Sequence, residues 1–176
     1  LSRAEMAYRP GAVSEEIIGF MADLAASESG DARYGIDLLL TAGRYADTDY
    51  SQEVHPEHVR KAASTLFSVI SPGDLRQLSR HELLALLGIA RHFRHSTEPH
   101  ATTGEAELAY QVACEEAGEQ PRGHTQYWKY LNRLSSLDAV STKLDASERG
   151  RTQLISLMKI PAESLEQEVT RALEEV

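Results

Sequence analysis

Two capping boxes fix where helices begin in the second half of this chain. Ser79 stands three residues before Glu82, and Thr102 stands three residues before Glu105. In this pattern the hydroxyl and the carboxylate each bond to backbone N–H groups that a helix start leaves without partners. Apolar residues follow both boxes at helical spacing, and Gly118 is suited to end the second helix. The sequence therefore predicts two adjacent, separately capped helices.

A third helix is predicted after a short turn over residues 119–123. It runs over 124–137, and Tyr127, Leu131 and Leu134 form its buried stripe. Because the turn is tight, this third helix can lie in a DNA major groove.

Two strand-like runs come next, at 139–142 and 152–157, and the polar segment 145–151 separates them. Three helices followed by a hairpin form the winged variant of the helix-turn-helix fold. An amphipathic helix is predicted over 162–174. We therefore expect residues 71–176 to form a winged-helix domain.

The first half is predicted to be helical throughout. Ser14 is an N-cap candidate, followed by two glutamates that the helix dipole favours in a first turn. Further helices are predicted over 32–46 and 55–69. The turn-forming residues 71–74 then mark a domain boundary. The fold class is accordingly mainly α, with residues 1–70 as a separate helical domain.

The chain is acidic, but it carries one basic island. Its formal net charge is −9, yet the segment from Arg122 to Arg151 holds six basic and three acidic residues. That segment therefore has a charge of +3, and the remainder has −12. Because binding to phosphates favours Lys and Arg, the island is where we expect nucleic acid to bind.

Composition argues against several other classes. The single cysteine, Cys114, fits a reducing intracellular setting and a small buried side chain. No apolar run reaches the ~20 residues of a membrane span, so we expect no membrane partner. His92, His95 and His100 lack further ligands at a known spacing, so we expect no metal site. No nucleophile–base pair indicates an independent enzyme. Since the chain begins at Leu1 within a helical pattern, we interpret it as part of a longer protein.

The candidate DNA contacts lie on the outward face of the third helix and at the hairpin tip. Side chains between the buried positions face solvent, where they can donate to phosphates or base edges; Asn132 shares this face. At the tip, a glycine permits close backbone approach, and its flanking arginines can reach phosphates or a narrow minor groove. The predicted DNA-binding residues are Arg122, His124, Thr125, Gln126, Lys129, Arg133, Arg149, Gly150 and Arg151.

A second interpretation stays open at this point. Winged helices also serve as protein-interaction modules, in which case the hairpin tip is a solvated turn. The acidic surface would then dock partner subunits, and DNA contact would be incidental.

Six short segments resemble archaeal origin-recognition and cell-division-control (Orc/Cdc) initiators, in the family's order and spacing. The most specific is Gly30-Asp31-Ala32-Arg33, with Asp37-Leu38-Leu39 after it. The others are Tyr8–Ser14, Val54–Ala62, Thr103–Glu105, Cys114–Gly118 and Gly150–Thr152. This resemblance covers nearly the whole chain and implies a helical AAA+ lid domain followed by a winged-helix DNA-binding domain. It also argues against the lid and winged helix of a different ATPase, such as a branch-migration motor.

The resemblance implies a role for Arg33 as the sensor-two arginine. In such ATPases this side chain projects from the lid towards the γ-phosphate of ATP, which a preceding core domain holds with Mg. From the residues alone, Arg33 is a surface arginine that can pair with Asp37 one helical turn later.

The resemblance implies a core domain that this sequence does not contain. It has no Gly-x-x-x-x-Gly-Lys-Ser/Thr loop and no apolar strand that ends in Asp-Glu, so we expect neither ATP hydrolysis nor a cofactor here. ATP or ADP with Mg is implied for the full-length protein alone. The implied partners are double-stranded origin DNA, the replicative helicase and other initiator subunits, in the cytoplasm at the nucleoid or in a eukaryotic nucleus.

Two positions depart from the family's pattern. Where relatives tend to carry an Arg-Arg pair early in the recognition helix, this chain has Thr125 and Gln126. The glycine usual after that helix is Asp138. Both changes leave base specificity undetermined. They also leave open a DNA contact that is weaker, or that depends more on partners, than in relatives.

Overall fold

The computed structural model describes residues 8–28, 32–66, 70–144 and 153–175. Its contacts divide the chain into two compact units, residues 1–68 with 159–161 and residues 69–158 with 162–176. None of the described helices is long and apolar enough to cross a membrane.

The described part of the first unit is helical, as predicted. Its elements are α1 (Glu15–Glu28), α2 (Ala32–Thr48) and α3 (Pro56–Leu66). Ser14 caps α1, because its Oγ accepts a hydrogen bond from the backbone N–H of Ile17 at 3.2 Å. The three helices bury a shared apolar core, which includes Phe20, Leu24, Leu38, Val59 and Ala62.

The described part of the second unit joins five helices to a small sheet. The helices are α4 (Pro72–Leu75), α5 (Arg80–His95), α6 (Thr103–Glu116), α7 (His124–Ser136) and α8 (Ala162–Glu174). Both predicted capping boxes form at the starts of α5 and α6. The Glu82 carboxylate accepts from the backbone N–H and the hydroxyl of Ser79, each at 2.7 Å, and Glu105 does the same for Thr102. The prediction of two separately capped helices is confirmed.

The turn-forming residues 71–74 lead into one turn of helix, α4, which the sequence did not predict. Pro72 occupies the first helical position, where its missing N–H costs nothing. The Asp74 carboxylate accepts from the Ser71 hydroxyl at 2.6 Å and from its N–H at 3.1 Å. This capping arrangement stabilises one helical turn where composition indicated a loop.

The sheet has three antiparallel strands, one more than the sequence predicts. They are β1 (Ala101–Thr102), β2 (Ser141–Leu144) and β3 (Gln153–Ser156), in the order β1-β3-β2. Thr142 of β2 and Ala101 of β1 both pair with Ile155 of β3. The predicted hairpin is therefore present, although β2 begins two residues later than expected. The short β1 adds an edge that brings the start of α6 beside the hairpin.

Helices α5 and α6 approach each other closely at Gly88 of α5. A Cβ at this position would lie 2.6 Å from the carbonyl carbon of Ala109 and 2.7 Å from the backbone nitrogen of Tyr110. These distances are too short for a contact between a Cβ atom and backbone atoms, so only glycine at position 88 lets α6 pack this closely. The same two helices form the most extensive helix–helix contact among the described residues.

We expect Gly88→Ala to destabilise the second unit, although alanine is the better helix former. The added methyl group must displace the α6 backbone, and overpacking of this kind costs about 2 kcal/mol. Urea denaturation would measure the loss. Gly104→Ala on α6 is the matched control, because nothing lies within 4 Å of a Cβ there. That variant should be neutral or slightly more stable, and equal stability of the two variants would contradict the packing argument.

Helices α6 and α7 end in the same way, but with different residues in the left-handed position. After α6, Gly118 has φ +69°, and after α7, Asp138 has φ +54°. In both, the next residue's N–H reaches back to the third-last helical carbonyl: Glu119 to Cys114 at 2.9 Å and Ala139 to Leu134 at 3.0 Å. An aspartate in this conformation is strained relative to glycine.

We therefore predict that Asp138→Gly stabilises the protein by about 0.5–1 kcal/mol. The converse change at the other helix end, Gly118→Asp, should destabilise it by a similar amount, and thermal unfolding would measure both. A less stable Asp138→Gly variant would show that the aspartate side chain makes a compensating contact.

Candidate nucleic-acid interface

Helix α7 turns one face into the second unit and the other face to solvent. Tyr127, Tyr130, Leu131 and Leu134 are buried along the inner face. The three residues predicted for the buried stripe are all among them, and Tyr130 extends it. This inner face fixes the rotation of α7, and with it the identity of the outward residues.

The outward face carries the predicted polar and basic side chains. Thr125, Lys129, Asn132 and Arg133 are exposed, whereas Gln126 is half-buried. No acidic residue occurs between positions 120 and 137. The outward face is therefore positively charged along its own length, in a chain that is otherwise acidic.

The start of α7 is held by three contacts that the sequence did not predict. His124 is exposed, and its Nδ1 lies 2.6 Å from the Glu107 carboxylate of α6. The Nε–H of Arg122 donates to Nε2 of His81 on α5 at 3.2 Å, and the backbone N–H of Arg122 donates to the Tyr110 hydroxyl at 3.0 Å. These contacts join residues 12 to 41 positions apart, so no local pattern could have indicated them.

A cluster of three tyrosines packs between α6 and α7. Tyr110 of α6 and Tyr127 of α7 stack with ring centroids 5.1 Å apart, and Tyr130 meets Tyr110 edge to face at 6.2 Å. Burial raises the pKa of both Tyr110 and Tyr127, so their hydroxyls stay protonated. Aromatic pairs of this kind stabilise a helix contact beyond their buried area. The cluster holds α7 on α6 with a defined orientation.

The wing is the hairpin formed by β2 and β3, and the structure describes only its base. Strands β2 and β3 form an antiparallel ladder that carries the connection between them, and Lys143 on β2 is exposed. The predicted tip residues Arg149, Gly150 and Arg151 lie outside the described residues. Their contact with DNA stays a prediction.

The first unit carries a separate exposed stripe along α2. Arg33 lies in its first turn and is exposed, and Ile36 and Leu40 follow on the same face with 48% and 54% of their surface exposed. Ile36, Leu40 and Arg44 line a pocket of about 620 Å³. Such contiguous apolar exposure is typical of a surface that another domain covers.

Tyr8 closes one side of this pocket. Its hydroxyl donates to the backbone carbonyl of Leu39, and a Cβ at Gly43 would lie 3.0 Å from its ring. Burial raises the pKa of Tyr8 to about 12, so the hydroxyl remains a donor at neutral pH. Among the described residues, no group of three or more His, Cys, Asp or Glu side chains is arranged to hold a metal ion.

Two family models cover most of the chain. The Cdc6 AAA+ ATPase-type lid domain matches residues 1–64, and the CDC6 C-terminal winged helix domain matches residues 73–167. The ORC1-type DNA replication protein 2 of Sulfurisphaera tokodaii is 33% identical over 168 residues, which are 92% of this chain and 40% of that protein. The chain belongs to the Cdc6/ORC1 family. The predicted fold class, a helical AAA+ lid followed by a winged helix, is confirmed.

Solved structures of the family show the same architecture. Cdc6p from Pyrobaculum aerophilum matches with a TM-score of 0.84 and 36% identity, over 94% of this chain and 44% of that one. Aeropyrum pernix ORC1 in complex with DNA matches with a TM-score of 0.51 and 29% identity. The match covers 99% of this chain and 44% of that one. Aeropyrum pernix ORC2, solved as ADPNP–ADP complexes, matches with a TM-score of 0.54 and 27% identity. The match covers 90% of this chain and 39% of that one. This Cdc6/ORC1-type chain thus spans about 40% of the length of its relatives.

Proposed function

We propose that this chain is the DNA-binding and nucleotide-sensing part of a replication initiator, and that it binds origin duplex through α7 and the wing. The observation that carries the proposal is the outward face of α7, which exposes Lys129 and Arg133 with no acidic residue in the same helix. A DNA complex of the relative ORC1 supports it. Within the proposal, residues 1–70 are the lid and residues 71–176 are the winged helix.

The geometry of α7 suits a major groove. Thr125 and Lys129 lie one helical turn apart on the exposed face, and Asn132 and Arg133 continue that face. In winged helices of this type, residues near the start of the recognition helix meet base edges, and basic residues contact phosphates. Thr125 and half-buried Gln126 offer less charge at this end than a pair of arginines. The proposed binding therefore draws its affinity from phosphates more than from bases.

Salt dependence provides the quantitative test of this proposal. If Arg122, Lys129, Arg133 and the two wing arginines neutralise five phosphates, the logarithm of affinity should fall with the logarithm of salt concentration with a slope of about −4.5. A binding mode based on apolar docking would show a much smaller slope.

We predict that Lys129→Ala/Arg133→Ala weakens binding to a duplex at least tenfold and reduces the salt slope by about 2. Fluorescence anisotropy at low and moderate salt would measure both quantities. Arg76→Ala/Arg171→Ala is the matched control, because it removes two exposed basic residues that pair with Glu175 and Glu168 away from α7. Equal losses in the two double variants would mean that net charge, and not the α7 face, governs binding.

A second candidate function has its own observation. On α6, Leu108 and Val112 are exposed by 62% and 46% and lie one turn apart, with exposed Glu105 and Glu115 at the two ends of the pair. This surface favours docking of a protein partner, such as a helicase or another initiator subunit, with little DNA contact. Absence of duplex binding at low salt, together with an intact fold, would favour this candidate.

For the first unit, we propose that Arg33 senses ATP bound with Mg by a core domain present in longer relatives. Arg33, Ile36 and Leu40 share one face of α2, so a domain that covers the apolar pair would also meet the guanidinium. A planar guanidinium reads phosphate charge and couples the nucleotide state to the position of the lid. The nucleotide complexes of the relative ORC2 support this proposal.

In a protein that also contains the core domain, we predict that Arg33→Ala lowers ATP hydrolysis about tenfold. Arg33→Lys should restore it in part, because lysine keeps the charge but not the planar fork. Arg44→Ala, three turns further along the exposed face of α2, is the control and should have a small effect. Steady-state phosphate release would measure the rates, and unchanged hydrolysis in Arg33→Ala would exclude the sensing role.

A further inference from the structure

The contact between His81 and Arg122 assigns a protonation state. Arg122 Nε is a donor at any pH of interest, so His81 Nε2 must accept with a lone pair. The imidazole is therefore neutral, with its proton on Nδ1. That proton points to the Tyr110 hydroxyl oxygen, which lies 2.9 Å from Nδ1.

The remaining hydrogen bonds of this cluster agree with that tautomer. The Tyr110 oxygen accepts from His81 Nδ1–H and from the backbone N–H of Arg122, and the Tyr110 hydroxyl is also hydrogen-bonded to the Cys114 side chain. The Tyr130 ring stacks on the His81 ring, with centroids 6.1 Å apart and an interplanar angle of 1°. One neutral imidazole thus connects α5, α6, α7 and the turn that leads into α7.

We propose that neutral His81 positions Arg122 for contact with a backbone phosphate of duplex DNA at the start of the recognition helix. This inference rests on the DNA binding proposed above. The bond to His81 uses Nε of an exposed arginine and fixes the direction of the guanidinium, whose terminal N–H groups can then meet a phosphate. Fixing a long side chain before binding reduces the entropy that binding would otherwise cost.

Protonation of His81 would reverse this effect. A proton on Nε2 would face the Arg122 Nε–H, which sets two donors and two positive charges against each other. Burial and the Arg122 charge lower the pKa of His81, Glu119 opposes them, and Arg80 adds to the lowering. Arg80 is itself bonded to Glu119 at 2.8 Å. Because the unfolded chain takes up this proton first, His81 also favours the folded state above about pH 6.5, and this stability is lost as the pH falls.

The first test is the tautomer, measured by long-range ¹H–¹⁵N NMR on histidine side chains of this chain. We expect His81 at pH 7.5 to carry its proton on Nδ1 and to leave Nε2 unprotonated. A proton on Nε2 at that pH would overturn the proposal.

The second test compares DNA affinities of His81 variants by anisotropy. His81→Gln keeps an acceptor for Arg122 without titrating, so it should bind within twofold of the unsubstituted chain at pH 7.5. His81→Phe keeps the stacking on Tyr130 but removes the acceptor, and it should bind about fivefold more weakly. As the pH is lowered until His81 takes up a proton, the unsubstituted chain should lose affinity relative to His81→Gln. Equal binding by His81→Phe and the unsubstituted chain would overturn the proposal.

A double-variant cycle separates positioning from general destabilisation. If His81 acts through Arg122, then His81→Phe/Arg122→Ala should bind no more weakly than Arg122→Ala alone. Additive losses would assign His81 to folding and contradict the proposal. If none of these proteins binds duplex although Nε2 accepts as expected, the proposed DNA-binding function fails while the positioning of Arg122 stands.

Discussion

The close approach of α5 and α6 at Gly88 is the constraint on which the rest of the second unit depends. The α5 glycine meets the α6 backbone at Ala109 and Tyr110, so the two helices are set by backbone contact and not by adaptable side chains. Tyr110 then stacks on Tyr127 of α7 and accepts the backbone N–H of Arg122. The position of the recognition helix therefore follows from a contact made on a different helix. Loss of that contact should therefore displace the outward face of α7 without changing the charge that this face carries.

This arrangement explains how an acidic chain can present a basic surface. The segment that contains α7 and the wing carries +3, and the rest of the chain carries −12. Several glutamates of the second unit pair with arginines of that unit. Arg91 and Arg94 of α5, for example, both pair with Glu166 of α8. Such pairs neutralise charge away from α7, at a small net gain in stability. Glu107 lies against the start of α7, where it contacts His124 and lowers the positive potential.

Sequence periodicity and capping predicted most of the fold, because these signals are local. The last helix was predicted and observed over the same residues, 162–174, and both capping boxes formed. The two-residue strand β1 was missed, since it exists through pairing with β3, some 50 positions later in the chain. In the candidate site, the exposed face of α7 followed from its buried stripe. The contacts of His81 with Arg122 and of Glu107 with His124 did not, because they depend on how helices pack.

The central claim is that the outward face of α7 contacts duplex DNA, and amide chemical-shift mapping tests it most directly. A ¹⁵N-labelled sample of this chain would be titrated with a short duplex at low salt. The account predicts that the largest shift changes fall on residues 122–133 and that the amides of α8 are little affected. Changes centred on Leu108 and Val112 of α6, or no changes at saturating duplex, would contradict it.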